Sequence, residues 1–167
     1  MPASSRRPAR EEILRRASFS HCGVYRYSLR RYWGNGEVLL VVGLNPSTAD
    51  ATKDDPTVRR CVGFAKSWGF GTLIIANLFA YRATDPTVLA QVSDPVGPSN
   101  DRTLKRLAAQ ADFVLAAWGT RGKLSDREQR VLTYLQEPYC LGTTSDGHPR
   151  HPLYVRADQQ PQPYTAV

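Results

Sequence analysis

The chain has 167 residues, of which 41% are hydrophobic and 22% are charged. This size and composition are typical of one globular domain and exclude a wholly disordered chain. The longest apolar run, residues 38–44, is as long as a strand and far shorter than the roughly 20 residues of a membrane span. The basic, polar N-terminus lacks the hydrophobic block of a secretory signal, so we expect a cytoplasmic protein.

The three cysteines also limit the possible classes. Cys22, Cys61 and Cys140 are odd in number and widely spaced. This pattern disfavours a disulfide framework, a structural zinc and a four-cysteine iron–sulfur cluster. In the leading interpretation we therefore expect no cofactor and no metal.

The formal net charge is +7, which suits a polyanionic partner because each neutralised phosphate releases counterions. Solubility alone is the other explanation. Residues 1–33 hold eight arginines and two glutamates, and the rest of the chain is almost neutral. The expected partner is a nucleic acid or a nucleotide, DNA before the others, with a basic N-terminal segment beside the site. We expect no membrane partner, and the oligomeric state stays open.

The sequence divides into a basic arm over residues 1–16, a single α/β domain over residues 17–156 and a Pro/Gln-rich tail over residues 157–167. Residues 24–33 alternate aromatic and polar side chains, which predicts a half-exposed strand. A turn at Gly34-Asn35-Gly36 leads into a continuously apolar strand over residues 37–44. These two strands are predicted to form an antiparallel hairpin at the N-terminal edge of the sheet.

Helices and apolar strands alternate through the rest of the domain. Asp55 and Pro56 are typical of a helix start, and Gly69 of its end. Ser125-x-x-Glu128 predicts a capping box on a later helix. A helix is also predicted over residues 101–111, and strands over residues 72–79, 113–118 and 139–143. The predicted fold class is α/β, a three-layer α/β/α arrangement around a mainly parallel sheet of about four strands, with the hairpin added.

Polar segments follow the predicted parallel strands. Because ligands of open α/β sheets bind outside the carboxyl ends of the strands, Asn45, Asn77 and His151 are expected to converge there. An asparagine amide matches the edge of a nucleobase, and a histidine can donate to a developing oxyanion. Aromatic side chains that could stack on a base are Phe79, Tyr81, Trp118 and Tyr154.

Each of these polar candidates also has a structural explanation. Asn45 can be a turn or cap residue, Asn77 can make a structural hydrogen bond, and His151 can pack within its loop. Asp55 is predicted to cap its helix, whereas Asp50 is a candidate to orient a water or to bind a metal. These alternatives are open at the level of sequence.

The remaining charged candidates are weaker. His21 and His148 are interpreted as surface or structural residues. Arg59 and Arg60 lie near a helix start, where they are either solvated or bind phosphate. The candidates for contact with a nucleic-acid backbone are Ser47, Arg59, Arg60 and Arg150.

Six motifs occur in order along the chain: GLNPSTAD, DDPTVRRCVGFAKSWGFG, NLFAYRATDP, DPVGPSND, AAWG and RHPLYV. Together they resemble an uncharacterised bacterial family, the domain-of-unknown-function 1643 proteins, over residues 24–156. The resemblance names no activity.

The order of motifs is also similar, more distantly, to that of the uracil-DNA glycosylase superfamily, whose enzymes have a parallel sheet flanked by helices. Gly43-Leu44-Asn45-Pro46 resembles the first-strand motif, and Ile74-Ile75-Ala76-Asn77 resembles the strand that ends in a base-reading asparagine. His151-Pro152-Leu153 resembles the late His-Pro motif. Ser47 stands where the first motif of that superfamily has a glycine.

This second resemblance implies a role for each matching residue. Asn45 would position the attacking water, Asn77 would bind the base, and His151 would stabilise the base as it leaves as an anion. Leu153 would wedge the duplex where the base is flipped out. The leading hypothesis is a glycosylase-like hydrolase acting on a nucleobase–sugar bond in DNA or in a modified nucleotide.

Two alternatives of other classes accompany this hypothesis. One is a non-catalytic protein that binds a nucleobase or a nucleic acid in the same site. The other is a metal-dependent phosphotransfer enzyme or nuclease that uses Asp50 and Asp54.

Overall fold

Seven strands form one mixed sheet in the computed structural model, which describes residues 13–166. In chain order the strands are Leu14–Phe19 (β1), Arg26–Tyr32 (β2), Val38–Gly43 (β3), Thr72–Asn77 (β4), Phe113–Ala116 (β5), Tyr139–Cys140 (β6) and Gln162–Pro163 (β7). The α-helices are Pro56–Ser67 (α1), Asn100–Gln110 (α2) and Arg127–Leu132 (α3). Short 3₁₀ helices cover Pro86–Ala90, Thr120–Asp126 and Pro152–Tyr154.

The strands lie side by side in the order β1-β2-β4-β3-β5-β6-β7. The four central strands β4, β3, β5 and β6 run parallel, while β1, β2 and β7 pair antiparallel at the two ends. The mixed α/β class predicted from the sequence is confirmed. The strand number is not, because three antiparallel strands extend the sheet to seven.

The predicted hairpin of the second and third strands is wrong. β2 and β3 do run in opposite directions, but β4 lies between them and pairs with both. The antiparallel pair at this end consists instead of β1 and β2, with Leu14 opposite Tyr32. The turn at residues 34–36 reverses the chain as expected and packs on Gly71, whose N–H donates to the carbonyl of Glu37 (3.1 Å). A turn motif predicts that a chain reverses, not which strand becomes its neighbour.

The central strands are largely apolar because both faces of the sheet are covered. Leu39, Val41 and Leu73 pack with α1 on one face. On the other face, Leu40 and Val42 pack with side chains of α2 and α3. The sheet is therefore a rigid base that sets the positions of the loops at its carboxyl edge.

Helix α1 begins as its sequence predicts. The Asp55 carboxylate accepts the N–H of Val58 (2.9 Å), Pro56 is the first helical residue, and Gly69 follows the helix in the left-handed region with φ of 85°. This start matters for the site, because it places Asp55 at the carboxyl edge of the sheet.

The capping box predicted for the later helix is wrong. Ser125 and Asp126 both have a φ of 53°, and neither side chain caps α3. The Glu128 carboxylate is buried and accepts hydrogen bonds from Nε1 of Trp118 (3.0 Å) and, when His148 Nδ1 carries a proton, from that atom (3.1 Å). Pairing these buried polar groups outweighs a cap at a solvent-exposed helix end.

Both ends of the described chain are tied to the sheet. Residues 14–16, predicted as part of the basic arm, lie in β1, whereas residues 1–12 are outside the described part. In the predicted tail, β7 pairs with β6 and Tyr164 packs into the core. Within residues 13–166, no helix has the length and apolar character needed to cross a bilayer.

Candidate ligand-binding cavity

A cavity of about 450 Å³ lies at the carboxyl edge of the parallel strands. Its walls are the residues that follow β3 and β5, the last residue of β4, the first turn of α1 and the 3₁₀ helix Pro152–Tyr154. The chain passes from β3 to β4 on one side and then crosses to β5 on the other. Such a switch of direction is where open α/β sheets bind ligands, and the volume lies in the range of small-molecule sites.

The structure brings the three central candidates together. Asn45, Asn77 and His151 all line this one cavity, although more than a hundred positions separate the first from the last along the chain. The other predicted site residues on its walls are Ser47, Trp118, Leu153 and Tyr154. The predicted site residues that do not line it are Asp50, Phe79, Arg59, Arg60 and Arg150.

Both amide hydrogens of Asn45 are used to hold the loop after β3. Its Nδ2 donates to the carbonyl oxygens of Pro46 (3.1 Å) and Ala83 (2.8 Å). These bonds join the β3 loop to the β4 loop and fix the plane of the amide. The side-chain atom left to accept a further hydrogen bond is Oδ1, which can take one from a water or a ligand N–H.

Asn77 is buried at the end of β4, and its amide orientation follows from its neighbour. A guanidinium can only donate, so the atom facing Nη2 of Arg26 (3.4 Å) is the oxygen Oδ1. The Nδ2 group lies on the other side, where a Cβ on Gly43 would stand 3.0 Å away. Because Gly43 has no side chain, there is room for the Nδ2 donor of Asn77. The turn after β4 is held by Asn100, which donates to the carbonyls of Asn77 and Leu78 (both 3.0 Å).

His151 is held as a neutral ring with a defined tautomer. Its Nδ1 accepts the N–H of Leu153 (3.2 Å), so that nitrogen carries no proton and Nε2 does. Burial lowers the pKa of His151, and the negative charge of Asp55 partly counteracts this effect. The imidazole can therefore donate from Nε2 near neutral pH without first becoming charged.

The cavity rim carries two exposed apolar side chains next to this histidine. Leu153 and Tyr154 follow it in the 3₁₀ helix, and 80% of the Tyr154 side chain is exposed. The rings of His151 and Tyr154 lie 5.6 Å apart between centroids. Aromatic surface is thus available at the entrance.

Two aromatic residues predicted to stack on a base lie deeper than expected. Phe79 is fully buried in the core and does not line the cavity. Trp118 lines the cavity but is almost completely buried, with Nε1 bonded to Glu128. The stacking surface predicted for these two residues is therefore largely inside the protein.

Asp50 and Asp54 are bound by the protein itself. The Asp50 carboxylate accepts the backbone N–H groups of Thr52 and Lys53 (both 2.8 Å), which lowers its pKa. Asp54 is paired with Arg31, with Nη2 2.8 Å from Oδ1. Within residues 13–166, no three His, Cys, Asp or Glu side chains come together as a metal would require.

The predicted nucleic-acid contacts are dispersed. Arg59 is exposed and donates to the carbonyl of Asp54 (3.1 Å), and Arg60 lies over the Phe64 ring at 6.0 Å. Arg150 is exposed, and its Nε donates to the carbonyl of Thr143 (3.1 Å). Ser47 is thus the member of the predicted backbone-contact group that lines the cavity.

Sequence reasoning missed three charged residues of the cavity, Arg26, Asp55 and Arg121, the last of which is exposed. Arg26 was expected on the exposed side of a half-exposed strand, but it is 97% buried because the loop over residues 44–55 covers it. β2 runs antiparallel to β4, so its first residue lies at the carboxyl edge where the site is. Asp55 was predicted as a helix cap, which it is, and among residues 13–166 it is also the acidic residue that lines the cavity.

Fold and site together define a mixed α/β protein with a small-molecule-sized cavity at the switch point of its sheet. Residues 26–153 match the model of a family described as protein of unknown function (DUF1643). The chain belongs to this family. No curated protein and no solved structure matches it.

Proposed function

We propose that this cavity binds a nucleobase and that the protein hydrolyses the bond between the base and its sugar, in DNA or in a modified nucleotide. The supporting observation is that Asn45, Asn77 and His151 line one cavity of about 450 Å³, which is large enough to hold a nucleobase. These polar groups are of the types that read a base edge and stabilise a leaving base.

In the proposed reaction each side chain acts through a contact that its present hydrogen bonds leave available. The Asn77 amide binds the polar edge of the base. As the bond to the sugar breaks, the electron pair goes to the base, and the Nε2–H of His151 stabilises the resulting anion. Water attacks the sugar carbon, and the proton that it loses reaches the departing base anion through solvent, so that the neutral free base and a hydroxylated sugar are formed. The Oδ1 atom of Asn45 accepts a hydrogen bond from that water.

In this reaction the Asp55 carboxylate stabilises the positive charge that develops on the sugar. The sugar becomes cationic as the base departs, and a carboxylate on the cavity wall stabilises a developing positive charge. One Asp55 oxygen is held by the N–H of Val58, which fixes the group in place. At the rim, Leu153 and Tyr154 provide the apolar surface that would replace a flipped base in a duplex.

The experiment incubates the protein with oligonucleotides that contain uracil or damaged bases, both single- and double-stranded, followed by alkali, which cleaves the strand at abasic sites. We expect strand breaks at the modified base. His151→Ala should lower the rate about 10²–10³-fold with a smaller effect on binding, as for other oxyanion donors. His21→Ala, at an exposed position outside the cavity, is the matched control.

Absence of breaks with every substrate, together with measurable base binding, would favour the second candidate, a nucleobase-binding protein without catalysis. One observation favours that candidate. The bonds of Asn45 and Asp55 to main-chain groups already give both residues a role in shaping the loops.

Equal cleavage by wild-type protein and His151→Ala would overturn the role given to the histidine.

A further inference from the structure

Arg26 is a buried cation that forms no ion pair within residues 13–166. It is 97% buried and lines the cavity. Its five N–H groups make two hydrogen bonds to the described part of the chain, from Nη1 to the carbonyl of Ala49 (3.0 Å) and from Nη2 to Oδ1 of Asn77 (3.4 Å). Nε is buried with no partner there. Buried arginines are normally paired and fully hydrogen-bonded, because an unpaired buried charge is costly.

The charges around Arg26 leave it uncompensated. Asp55 and Asp50 act favourably on the guanidinium, but neither forms an ion pair with it among the described contacts, and Arg82 and Arg31 oppose them. Burial lowers the pKa of Arg26 to about 10, so the side chain is still protonated at neutral pH. The guanidinium therefore lines the cavity as a cation that forms no ion pair within residues 13–166, with the Asp55 carboxylate elsewhere on the same wall.

We propose that Arg26 is the anion-recognition residue of the cavity and that the natural ligand places a carboxylate or a phosphate against its guanidinium. The proposal rests on the base-binding part of the proposed function and narrows its substrate class to an acidic base or a nucleotide. Planar guanidinium donors match the paired oxygens of both groups. The amide of Asn77, bonded to the same guanidinium, would read the ligand immediately beside the acid.

Two pairs of probes separate the two sources of the anion. Orotate and uracil differ by a carboxylate on the base, and uridine monophosphate and uridine differ by a phosphate. Binding of each to the full-length protein is measured by calorimetry. We expect one acidic member to bind roughly tenfold to hundredfold more tightly than its neutral partner, the range of hydrogen bonds to charged groups. Preference for orotate assigns the acid to the base, and preference for the monophosphate assigns it to the nucleotide.

Variants of one strand test whether Arg26 is responsible. Arg26→Met has a similar volume and removes the charge, and it should abolish the preference for the acidic probe. Arg30→Met, four positions along β2 and outside the cavity, makes the same change in net charge and should retain the preference. Because Arg26→Met also removes the donor to the carbonyl of Ala49 and to Oδ1 of Asn77, thermal melting of both variants checks that each is folded at the temperature of the binding measurement.

The result that overturns the proposal is equal binding within both pairs of probes by the wild-type protein, a measurement that needs no variant to fold. A preference that survives in Arg26→Met would overturn it too. Neither result depends on turnover. Acid-selective binding without base release would instead remove the hydrolase activity of the proposed function and leave the anion site in place.

Discussion

Arg26 and Arg31 lie five positions apart on β2 and donate to consecutive carbonyl oxygens of the same loop, those of Ala49 (3.0 Å) and Asp50 (2.7 Å). Of these two arginines, Arg31 alone has a carboxylate partner in the described part of the chain, because Oδ1 of Asp54 lies 2.8 Å from its Nη2. Two buried cations on one strand therefore have different roles. Arg31 holds the loop over residues 49–54, and Arg26 faces the cavity with hydrogen-bonding capacity to spare.

The first prediction concerns the paired arginine. Arg31→Met should lower the free energy of unfolding by about 3–5 kcal/mol, the cost of breaking a buried ion pair from one side. The reason is that Asp54 and several main-chain carbonyls lose their donor at once. Urea unfolding followed by circular dichroism measures the change.

The matched control for that measurement is Arg30→Met, at a partly exposed neighbour, which should stay within about 0.5 kcal/mol of the wild-type protein. If Arg31→Met unfolded at the same urea concentration as Arg30→Met, the buried pair would contribute nothing and the distinction between the two arginines would lose its basis.

A second prediction compares two glycines. Gly122 is buried, and a Cβ there would overlap the indole ring of Trp118 and stand 3.0 Å from Leu78. Gly122→Ala should therefore destabilise the protein by roughly 1–3 kcal/mol, as other overpacked cores do. Gly63→Ala adds the same methyl group within α1, where it meets nothing within 4 Å, and should stabilise by about 1 kcal/mol. If both substitutions changed the free energy of unfolding in the same direction, this description of the packing around the two glycines would be wrong.

Local signals predicted the elements of the fold well and their arrangement less well. Asp55, Pro56 and Gly69 mark the limits of α1 because a cap, a first-turn proline and a left-handed glycine act on their own helix. Strand pairing depends on the whole sheet, so the turn at residues 34–36 could not show that β4 would separate β2 from β3. β1 was hidden within an arginine-rich segment that carries little apolar periodicity.

The site residues also divide into those that the local sequence predicts and those whose position depends on tertiary contacts. Asn77 was conspicuous because an amide inside an apolar strand must be paired or used, and His151 because a polar loop follows the last parallel strand. Arg26 had no such signal. Its burial comes from the loop over residues 44–55 folding across β2, a tertiary contact that alternation along one strand cannot reveal.

The third prediction tests the space left beside Asn77. A methyl group at Gly43 would stand 3.0 Å from Nδ2, while Oδ1 is bonded to Arg26. Gly43→Ala should therefore tilt the amide and weaken base binding about tenfold, with a loss of roughly 1 kcal/mol or less in unfolding free energy. Calorimetry with the better-bound probe measures this. Unchanged affinity would mean that Nδ2 does not contact the ligand.

The last prediction concerns the charge state of His151, whose pKa is lowered by burial from the ordinary value of 6.5. In the unfolded chain the ring has its ordinary pKa. Below about pH 6.5 the unfolded state therefore binds more protons than the folded state, and the free energy of unfolding decreases as the pH is lowered. Above that pH the residue adds no pH dependence. The loss should continue down to the folded-state pKa and then level off.

Two measurements check this sign. Proton NMR should show the His151 ring titrating below the ordinary value of 6.5. Between pH 7 and pH 5.5, His151→Gln should lose less unfolding free energy than the wild-type protein, because the substituted side chain binds no proton. Titration of His151 above pH 6.5 would show that its pKa is raised rather than lowered, and a neutral Nε2–H donor could not then serve the leaving base.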